Sequence, residues 1–470
     1  MEIKSSVSAV ESYKRIEELQ PKLNAAVTMI EPKDNPNQGK LFGVPVILKD
    51  NINTKGIRTT ASSRILDNYV PVYDATIVKK LNEAGAIFVC KASMDELGMG
   101  GTNKNAYTGA VHNPYDLDRI SGGSSGGCAV LVASDAAPLA IGTDTAEAPV
   151  TDDGTDTGDS IRKPAAYTGV VGVKPTYGRI SRYGIIPYAS SLDHVGYFTT
   201  NIKDAALALE VLAGRDDKDM TSSFKPVEEY SKNLNGALKG KTIGVLKTVI
   251  DEIEDEYVKN TFYEFVKKLK EAGANIKEVE MPREYMELIP PVYKTIANAE
   301  ATANHSNLDG LRFGMREDGE SVEEVMTNSR TKGFSSYVRA RFVIGSYSLF
   351  NENQDRLFRK AQKIRRLIVD AYKKCFEGVD GILCMAALDI APMIEDSQDV
   401  RFKETSFADE HMQLANFSGY PSITLPFAQK DGMPLGINLT CRPFEEQMMF
   451  DLAQGMEDIT GLKDQVKKGV

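Results

Sequence analysis

Short apolar runs that alternate with amphipathic helical stretches constrain the fold of this chain more than any other feature. Five of these runs are typical of buried strands, at 43–50, 84–91, 242–249, 379–386 and 420–427. Two stretches between them repeat apolar residues every three or four positions and predict long helices, at 254–273 and 353–378. Strands that alternate with helices of this length predict an α/β fold, with helices on both faces of one sheet.

The organisation along the chain favours a single domain over 1–470. No linker rich in Pro or Gly separates the charged helical region at about 202–375 from its neighbours. Gly, Ser, Thr, Pro and Asp dominate much of the region at about 43–200, and loops of that composition on an α/β scaffold often carry the functional site. We therefore expect the catalytic core there, with a strand and helix region at about 376–470 completing the domain.

Charge and cysteine content narrow the class of protein. The formal net charge of −10 argues against nucleic-acid binding by this chain alone, since a phosphate-binding face must be basic. The five scattered cysteines suit reduced thiols better than a disulfide framework. The N-terminal helical stretch is charged throughout, unlike a signal peptide, and no uncharged run is long enough to cross a membrane. We expect a cytoplasmic protein that makes no membrane contact.

Several common catalytic motifs are missing from the chain. The four histidines are not spaced as metal ligands, so we expect no metal site. There is no P-loop, and no GxGxxG sequence opens a helix after a strand. With so few histidines, a Ser-His-Asp triad has weak support.

Two polar loops contain candidate nucleophiles. In SGGSSGG, Ser124 and Ser125 stand between two Gly-Gly pairs and lead into a helix of small residues, whose first N–H groups favour an oxyanion. In TDTGDSIRKPAA, Ser160 follows a Thr-Gly-Asp sequence. Lys49, at the end of an apolar run, is the candidate base, because burial lowers the pKa of a lysine. The alternative interpretations are a flexible Gly/Ser linker and a solvated surface lysine.

These stretches together resemble the amidase signature family. The motifs are GVPVILKDNI, SGGSSGG, GTDTGDSIRKPAA and GVVGVKPTYGRISRYGIIPYASSLDHVG, and the resemblance covers nearly the whole chain. It implies a single α/β domain built on a central mixed sheet, and amide hydrolysis by a Lys/cis-Ser/Ser triad. Carried over to this sequence, Lys49 is the base, Ser124 is the bridging serine in a cis peptide, and Ser160 is the nucleophile.

The same resemblance implies which residues stabilise and bind the substrate. The N–H groups of the loop before the nucleophile would form the oxyanion hole, at Thr157, Gly158 and Asp159. A glutamine substrate would be bound through its carboxylate by Arg341, through its ammonium by Asp409, and with a contribution from Ser125.

Within the family, stretches such as VRARFVIGSY and KASMDELGMGGTNKNAYTGAVHNPYD most resemble the glutaminase subunits of tRNA-dependent amidotransferases. These subunits hydrolyse glutamine and supply ammonia for the amidation of Glu-tRNA(Gln) or Asp-tRNA(Asn). The resemblance implies a heterotrimer with B and C partner subunits, and contact with tRNA only through the partner. It also implies no cofactor in this chain, because the partner uses the ATP and Mg²⁺.

The chain departs from the family at the nucleophile loop. Gly-Thr-Asp-Thr begins at Gly142 and again at Gly154, and only the second copy leads to a serine. We interpret 142–153 as an insertion in which Ala148 replaces the nucleophile, and Asp159 stands where the family has a glycine. Acidic residues beside an anion pocket are expected to weaken the activity. Three functions stay open: the glutaminase of a larger complex, a stand-alone amidase, and a catalytically silent scaffold that still binds the partners.

Overall fold

The computed structural model describes Ile3 and residues 5–145, 159–395 and 407–470. Within these ranges the strands are β1 (Ala26–Met29), β2 (Pro45–Lys49), β3 (Ile87–Ala92), β4 (Leu139–Asp144), β5 (Val171–Lys174), β6 (His194–Thr199), β7 (Thr242–Leu246), β8 (Asn275–Val279), β9 (Gly381–Met385), β10 (Ser422–Lys430) and β11 (Met433–Thr440). All five predicted strands are present, as β2, β3, β7, β9 and β10.

The strands form one 11-stranded mixed sheet in the order β1-β3-β2-β4-β6-β5-β10-β11-β9-β7-β8. Parallel pairs join β2 to both β3 and β4, and join β7 to both β8 and β9. The other neighbouring strands are antiparallel. The predicted α/β fold on a mixed sheet is therefore confirmed, and strands from all three predicted regions of the chain pair in this one sheet.

Several helices pack against strands of the sheet. The helices of the described ranges are α1 (Ala9–Leu23), α2 (Thr76–Glu83), α3 (Gly126–Ala133), α4 (Arg162–Thr168), α5 (Ile202–Leu212), α6 (Tyr230–Asn233), α7 (Lys247–Ile250), α8 (Glu256–Glu271), α9 (Arg283–Glu287), α10 (Ile289–Asn304), α11 (Val322–Gly333), α12 (Ser336–Leu349), α13 (Asn351–Gln354), α14 (Phe358–Cys375), α15 (Gln413–Ser418) and α16 (Glu446–Thr460). Single 3₁₀ turns span Arg64–Leu66 and Glu96–Gly98. The two predicted long helices correspond to α8 and α14, and in the described residues no helix is both long and apolar enough to cross a membrane.

The short helix α3 explains why the Gly/Ser-rich part of the chain lacks a clear helical period. All eight of its residues are buried, so it has no polar face to alternate with an apolar one. Gly127 permits this close packing, because a Cβ there would lie 2.5 Å from the carbonyl oxygen of Ser93. The five cysteines, all within the described ranges, are buried and form no disulfide.

The first Gly-Thr-Asp-Thr copy is not part of a surface loop, which corrects its interpretation as inserted residues. Gly142, Thr143 and Asp144 are the last residues of β4, and the register pairs Thr143 with Val195 and Asp144 with His194 on β6. The pairing of β4 with its neighbours places this copy in the sheet. The second copy, from Gly154 to Thr157, lies outside the described residues.

Candidate active site

Lys49 is the last residue of β2 and lies at the edge of the sheet where β2 and β4 both end. Its side chain is fully buried, and its Nζ donates to Ser124 Oγ at 2.8 Å and to Thr143 Oγ1 at 2.9 Å. Burial lowers the pKa of Lys49 to about 8, although nearby acidic groups partly offset this effect. A lysine with that pKa is partly neutral near neutral pH, and the neutral form is the one that can act as a general base.

Ser124 is positioned by its own backbone. The Gly123–Ser124 peptide bond is cis, the N–H of Gly123 donates to the carbonyl of Gly101 at 2.6 Å, and the carbonyl of Ser124 accepts from the N–H of Asp95 at 3.2 Å. A Cβ on Gly123 would collide with Asp95 Oδ2, so only glycine fits there. The Gly-rich sequence therefore allows the Ser124 backbone to pack against a buried carboxyl group.

Ser160 lies beside this loop. Its carbonyl accepts a 3.1 Å hydrogen bond from the N–H of Ser125, which links the two polar loops directly. Ser160 Oγ is buried and makes no hydrogen bond to another described residue. Two members of the predicted oxyanion hole, Thr157 and Gly158, lie outside the described residues, whereas the third, Asp159, is described and fully buried.

Arg162 organises a buried ionic cluster behind Ser160. Its guanidinium donates to both carboxylate oxygens of Asp144 at 3.1 Å and to Asp159 Oδ1 at 2.5 Å. It also donates to Asn416 Oδ1 at 2.6 Å and to the carbonyl of Met412 at 2.9 Å. Burial alone would raise the pKa of Asp144, but the charge and hydrogen bonds of Arg162, together with the Lys174 charge and the Asn416 hydrogen bond, outweigh it and hold that pKa well below the ordinary value.

Asp159 combines an ion pair with a backbone conformation that favours glycine. Its φ is +105°, a region that residues with a Cβ rarely adopt. Its carboxylate shares the single Arg162 guanidinium with Asp144, so two negative charges are balanced by one positive charge in this pair of contacts. The predicted negative charge next to the nucleophile is thus present in the fold and is partly neutralised by Arg162.

Arg341 lies on α12 and is fully buried. Its Nη1 donates to the Tyr188 hydroxyl at 3.1 Å, its Nη2 donates to the Tyr337 hydroxyl, and the guanidinium carbon is 4.6 Å from the centre of the Tyr337 ring. A Cβ added to Gly98 would contact both Tyr188 Cβ at 3.7 Å and Ser124 Oγ at 4.0 Å. Gly98 therefore lies between the Ser124 loop and the tyrosine that binds Arg341.

Asp409 contacts the helix that follows Ser160. Its main-chain carbonyl accepts a 2.9 Å hydrogen bond from Lys163 Nζ at the start of α4, three residues after Ser160. A cavity of about 370 Å³ opens beside the cluster and is lined by Asn51, Gly98, Thr143, Tyr188, Asp193 and His194, among other residues. Burial lowers the pKa of His194 well below the ordinary value, so this imidazole is neutral.

Sequence reasoning missed several residues that contact the predicted ones. Thr143 contacts Lys49, Asn51 contacts Thr143, and Asp144 pairs with Arg162. The only available signal was that Thr143 and Asp144 belong to the repeated tetrapeptide, which gave no reason to prefer the first copy. Among the residues that the structure covers, no group of three or more His, Cys, Asp or Glu side chains is arranged to hold a metal ion.

Comparison with known proteins finds a family model and relatives that match most of the chain. A family model described as Amidase matches residues 8–148 and 149–450. The chain is 39% identical over 426 residues to the A subunit of glutamyl-tRNA(Gln) amidotransferase from Persephonella marina, covering 90% of this chain and 84% of that protein. It is 37% identical over 463 residues to the protein of the same name from Lactobacillus acidophilus, covering 97% of this chain and 93% of the relative.

Two solved structures have a similar fold. The A subunit of glutamyl-tRNA(Gln) amidotransferase from Thermotoga maritima superimposes with a TM-score of 0.79 at 34% identity, covering 96% of this chain and 90% of that one. The native peptide amidase from Stenotrophomonas maltophilia superimposes with a TM-score of 0.77 at 26% identity, covering 98% and 95%. The fold is thus similar both to part of an amidotransferase and to an amidase of a different name.

Proposed function

The chain belongs to the amidase family, and from that premise we propose that it is the glutaminase subunit of a tRNA-dependent amidotransferase. The observation that carries the proposal is the hydrogen bond from buried Lys49 Nζ to Ser124 Oγ, in a loop whose next residue is hydrogen-bonded to the Ser160 backbone. The proposed base and bridging hydroxyl are thus hydrogen-bonded to each other without a histidine, and a backbone hydrogen bond joins their loop to that of the proposed nucleophile.

In the proposed reaction, Ser160 Oγ attacks the side-chain amide carbon of glutamine. Its proton passes to Ser124, whose own proton passes to the neutral amine of Lys49. When the tetrahedral intermediate collapses, the C–N bond breaks and the proton returns from Lys49 to the departing ammonia. Water then hydrolyses the glutamyl ester on Ser160 by the same relay, releasing glutamate and restoring the serine.

Oxyanion stabilisation is assigned to the N–H groups of Thr157, Gly158 and Asp159. One such donor typically contributes about 3–4 kcal/mol to transition-state stabilisation. The tetrahedral oxygen develops negative charge, so the Asp159 carboxylate next to Ser160 in the chain opposes it. We therefore propose a glutaminase whose kcat is reduced by this local sequence.

Arg341 and Asp409 are proposed to recognise the substrate α-carboxylate and α-ammonium. A buried guanidinium held by two tyrosine hydroxyls suits a carboxylate, because charge-assisted hydrogen bonds are strong where water is excluded. Ser125 contributes through the same loop as the bridging serine. Recognition of both α-groups distinguishes glutamine from a simple amide and favours this function over a stand-alone amidase.

The assembly is also part of the proposal. Relatives at 37–39% identity are named as subunits of an amidotransferase, so this chain works with other subunits, which we propose are B and C in a heterotrimer. ATP and Mg²⁺ would be used by the partner, with no cofactor in this chain. The net charge of −10 gives no basis for binding tRNA directly, so the partner would supply that contact.

Ammonia release from glutamine tests the proposal, measured for the purified chain with and without the B and C subunits. The wild-type chain is expected to be active, Ser160→Ala inactive and Lys49→Ala nearly so, because residues of one relay lose activity as a unit. Ser306→Ala, at an exposed serine, is the matched control and should behave as wild type. Unchanged turnover in Ser160→Ala would remove the nucleophile assignment. An inactive wild-type chain in the full complex would favour the silent scaffold.

A further inference from the structure

Thr143 presents two acceptor atoms to the amine of Lys49. Lys49 Nζ lies 2.9 Å from Thr143 Oγ1 and 3.4 Å from the Thr143 carbonyl oxygen, in addition to its 2.8 Å contact with Ser124 Oγ. All three residues are buried. The Lys49 amine therefore has hydrogen-bond partners on both Thr143 and the bridging serine.

The chemistry of a neutral amine gives this arrangement a directional consequence. A neutral lysine has two N–H donors and one lone pair, whereas the ammonium has three donors. If both N–H groups of Lys49 donate to Thr143, the lone pair is left facing Ser124 Oγ, the direction from which the proposed relay delivers a proton. Without Thr143 Oγ1, an N–H group is free to turn toward Ser124, and the lone pair then points away from the proton.

Thr143 is itself held in place from two directions. Asn51 Nδ2 donates to Thr143 Oγ1 at 3.1 Å, and Ser125 Oγ donates to the Thr143 carbonyl at 3.0 Å. The residue also lies in β4, paired with Val195. A buried side chain with a fixed rotamer and fixed backbone can orient its neighbour without reorganising during the reaction.

We infer that Thr143 is a positioning residue for the base. Each of the two Gly-Thr-Asp-Thr copies then supplies a different part of the site. The first copy provides Thr143 for Lys49 and Asp144 for Arg162, while the second copy leads into Ser160. This inference rests on the proposed role of Lys49 as the base. The two copies of the tetrapeptide then have different roles, which can be tested separately at Thr143 in the first copy and at Thr155 in the second.

The two copies supply a matched pair of variants. Thr143→Val removes the Oγ1 acceptor at nearly constant shape, and Thr155→Val makes the same change in the second copy. With glutamine as substrate, we expect Thr143→Val to lower kcat about 10- to 100-fold at nearly unchanged KM, the scale of a misplaced catalytic group. Thr143→Ser keeps the hydroxyl and is expected to recover most of the activity. Thr155→Val is expected to match wild type.

The pH profile separates positioning from a general structural role. An acceptor that bonds to the charged form of a group favours that form, so losing Oγ1 is expected to lower the pKa of Lys49. The acid limb of kcat/KM should therefore move to lower pH in Thr143→Val while its plateau falls. A purely structural defect lowers the plateau without moving this limb.

Each result then supports or overturns the inference. The inference would be overturned if Thr143→Val had the kcat of wild type and the same acid limb of kcat/KM. It would also be overturned if only Thr155→Val had a reduced kcat. If Thr143→Val fails to fold, by circular dichroism, Asn51→Ala replaces it. That variant frees the Thr143 hydroxyl, so it should lower kcat, and an unchanged kcat would overturn the inference. Ser160→Ala is assayed in parallel, because activity in that variant would refute the proposed function instead.

Discussion

Arg162 binds Asp144 through two hydrogen bonds, Nε to Oδ2 and Nη2 to Oδ1, each 3.1 Å long and fully buried. Asp144 ends β4, and Arg162 begins α4 directly after the Ser160 loop. The pair therefore connects β4, which lies next to β2 in the sheet, to α4, the helix that follows the proposed nucleophile. It thereby links the part of the proposed site that contains Lys49 to the part that contains Ser160.

Asp144→Asn is expected to destabilise the protein by about 1.5–3 kcal/mol, because it weakens two charge-assisted hydrogen bonds to a buried guanidinium that then keeps only Asp159 as a carboxylate partner. Urea unfolding at pH 7 measures this loss. Asp156→Asn, at the same position of the second copy, is the control and should change stability little. Equal losses in the two variants would contradict the view that the first copy provides the structural aspartate.

The same ion pair predicts a sensitivity to acid. Because the folded-state pKa of Asp144 lies below its unfolded value of about 4, its stabilising contribution is complete above that pH and is lost as the pH falls through the folded value. The unfolding free energy of Asp144→Asn should therefore decrease less steeply with acid than that of wild type. Parallel curves between about pH 5 and 3 would show that the pair does not contribute.

The activity should depend on pH through Lys49. Burial lowers the pKa of this amine to about 8, and only its neutral form accepts the proton from the serine relay. The value of kcat/KM for glutamine is therefore expected to rise as pH increases through about 8 and then to level off. A profile that is already flat between about pH 6 and 9 would exclude Lys49 as the base.

Sequence patterns predicted the scaffold well because its strands and long helices have simple periods. The runs at 43–50 and 379–386 became β2 and β9 within a few residues, and the stretch at 254–273 became α8. The strands β4 and β6 were missed, since both are buried on both faces and the first is rich in small and polar residues. A central strand with such a sequence has no alternation to detect.

The candidate site was predicted less completely, for a topological reason. Lys49, Ser124 and Ser160 were each visible in their own motif. Thr143 and Asn51 became relevant only when parallel pairing placed β4 next to β2. Spacing along the chain carries no information about which of two identical tetrapeptides occupies a strand.

Ser124 and Ser125 provide a direct comparison between neighbouring hydroxyls. Ser124 Oγ accepts from Lys49, whereas Ser125 Oγ donates to the Thr143 carbonyl. Ser124→Ala should lower kcat about 10²- to 10⁴-fold, as expected for a lost proton-transfer group. Ser125→Ala should cost about 10-fold or less, since it removes only supporting hydrogen bonds to the Thr143 backbone. The reverse ranking in an ammonia-release assay would show that Ser125 is the bridging residue.

Arg341 should control the choice of substrate. Arg341→Ala is expected to raise KM for glutamine far more than KM for a simple amide without an α-carboxylate, because only glutamine loses a charge-assisted contact. Tyr188→Phe removes one of the hydroxyls that bind the guanidinium and should produce a smaller change in the same direction. Equal effects of Arg341→Ala on both substrates would favour a stand-alone amidase.

The duplicated tetrapeptide allows an unambiguous deletion. Removing residues 142–153 or residues 146–157 leaves the same sequence, GTDTGDSIR, because the two copies are identical. The product keeps a Thr and an Asp at the positions of Thr143 and Asp144. Lengthening a loop costs only about 0.6 kcal/mol per doubling, so the shortened chain and the native chain are both expected to fold.

Combining this deletion with Asp159→Gly is expected to raise kcat for glutamine several-fold with little change in KM. Glycine adopts a φ of +105° without strain, and its introduction removes the second carboxylate that shares Arg162. The developing oxyanion then meets one buried negative charge fewer, a gain confined to the transition state. Arg162 retains Asp144, so the stability of the cluster is preserved. The measurement is steady-state kinetics of the deletion variant, the Asp159→Gly variant and the combined variant. If kcat of the combined variant were no higher than that of the native chain, the added acidic residues would not be what lowers kcat.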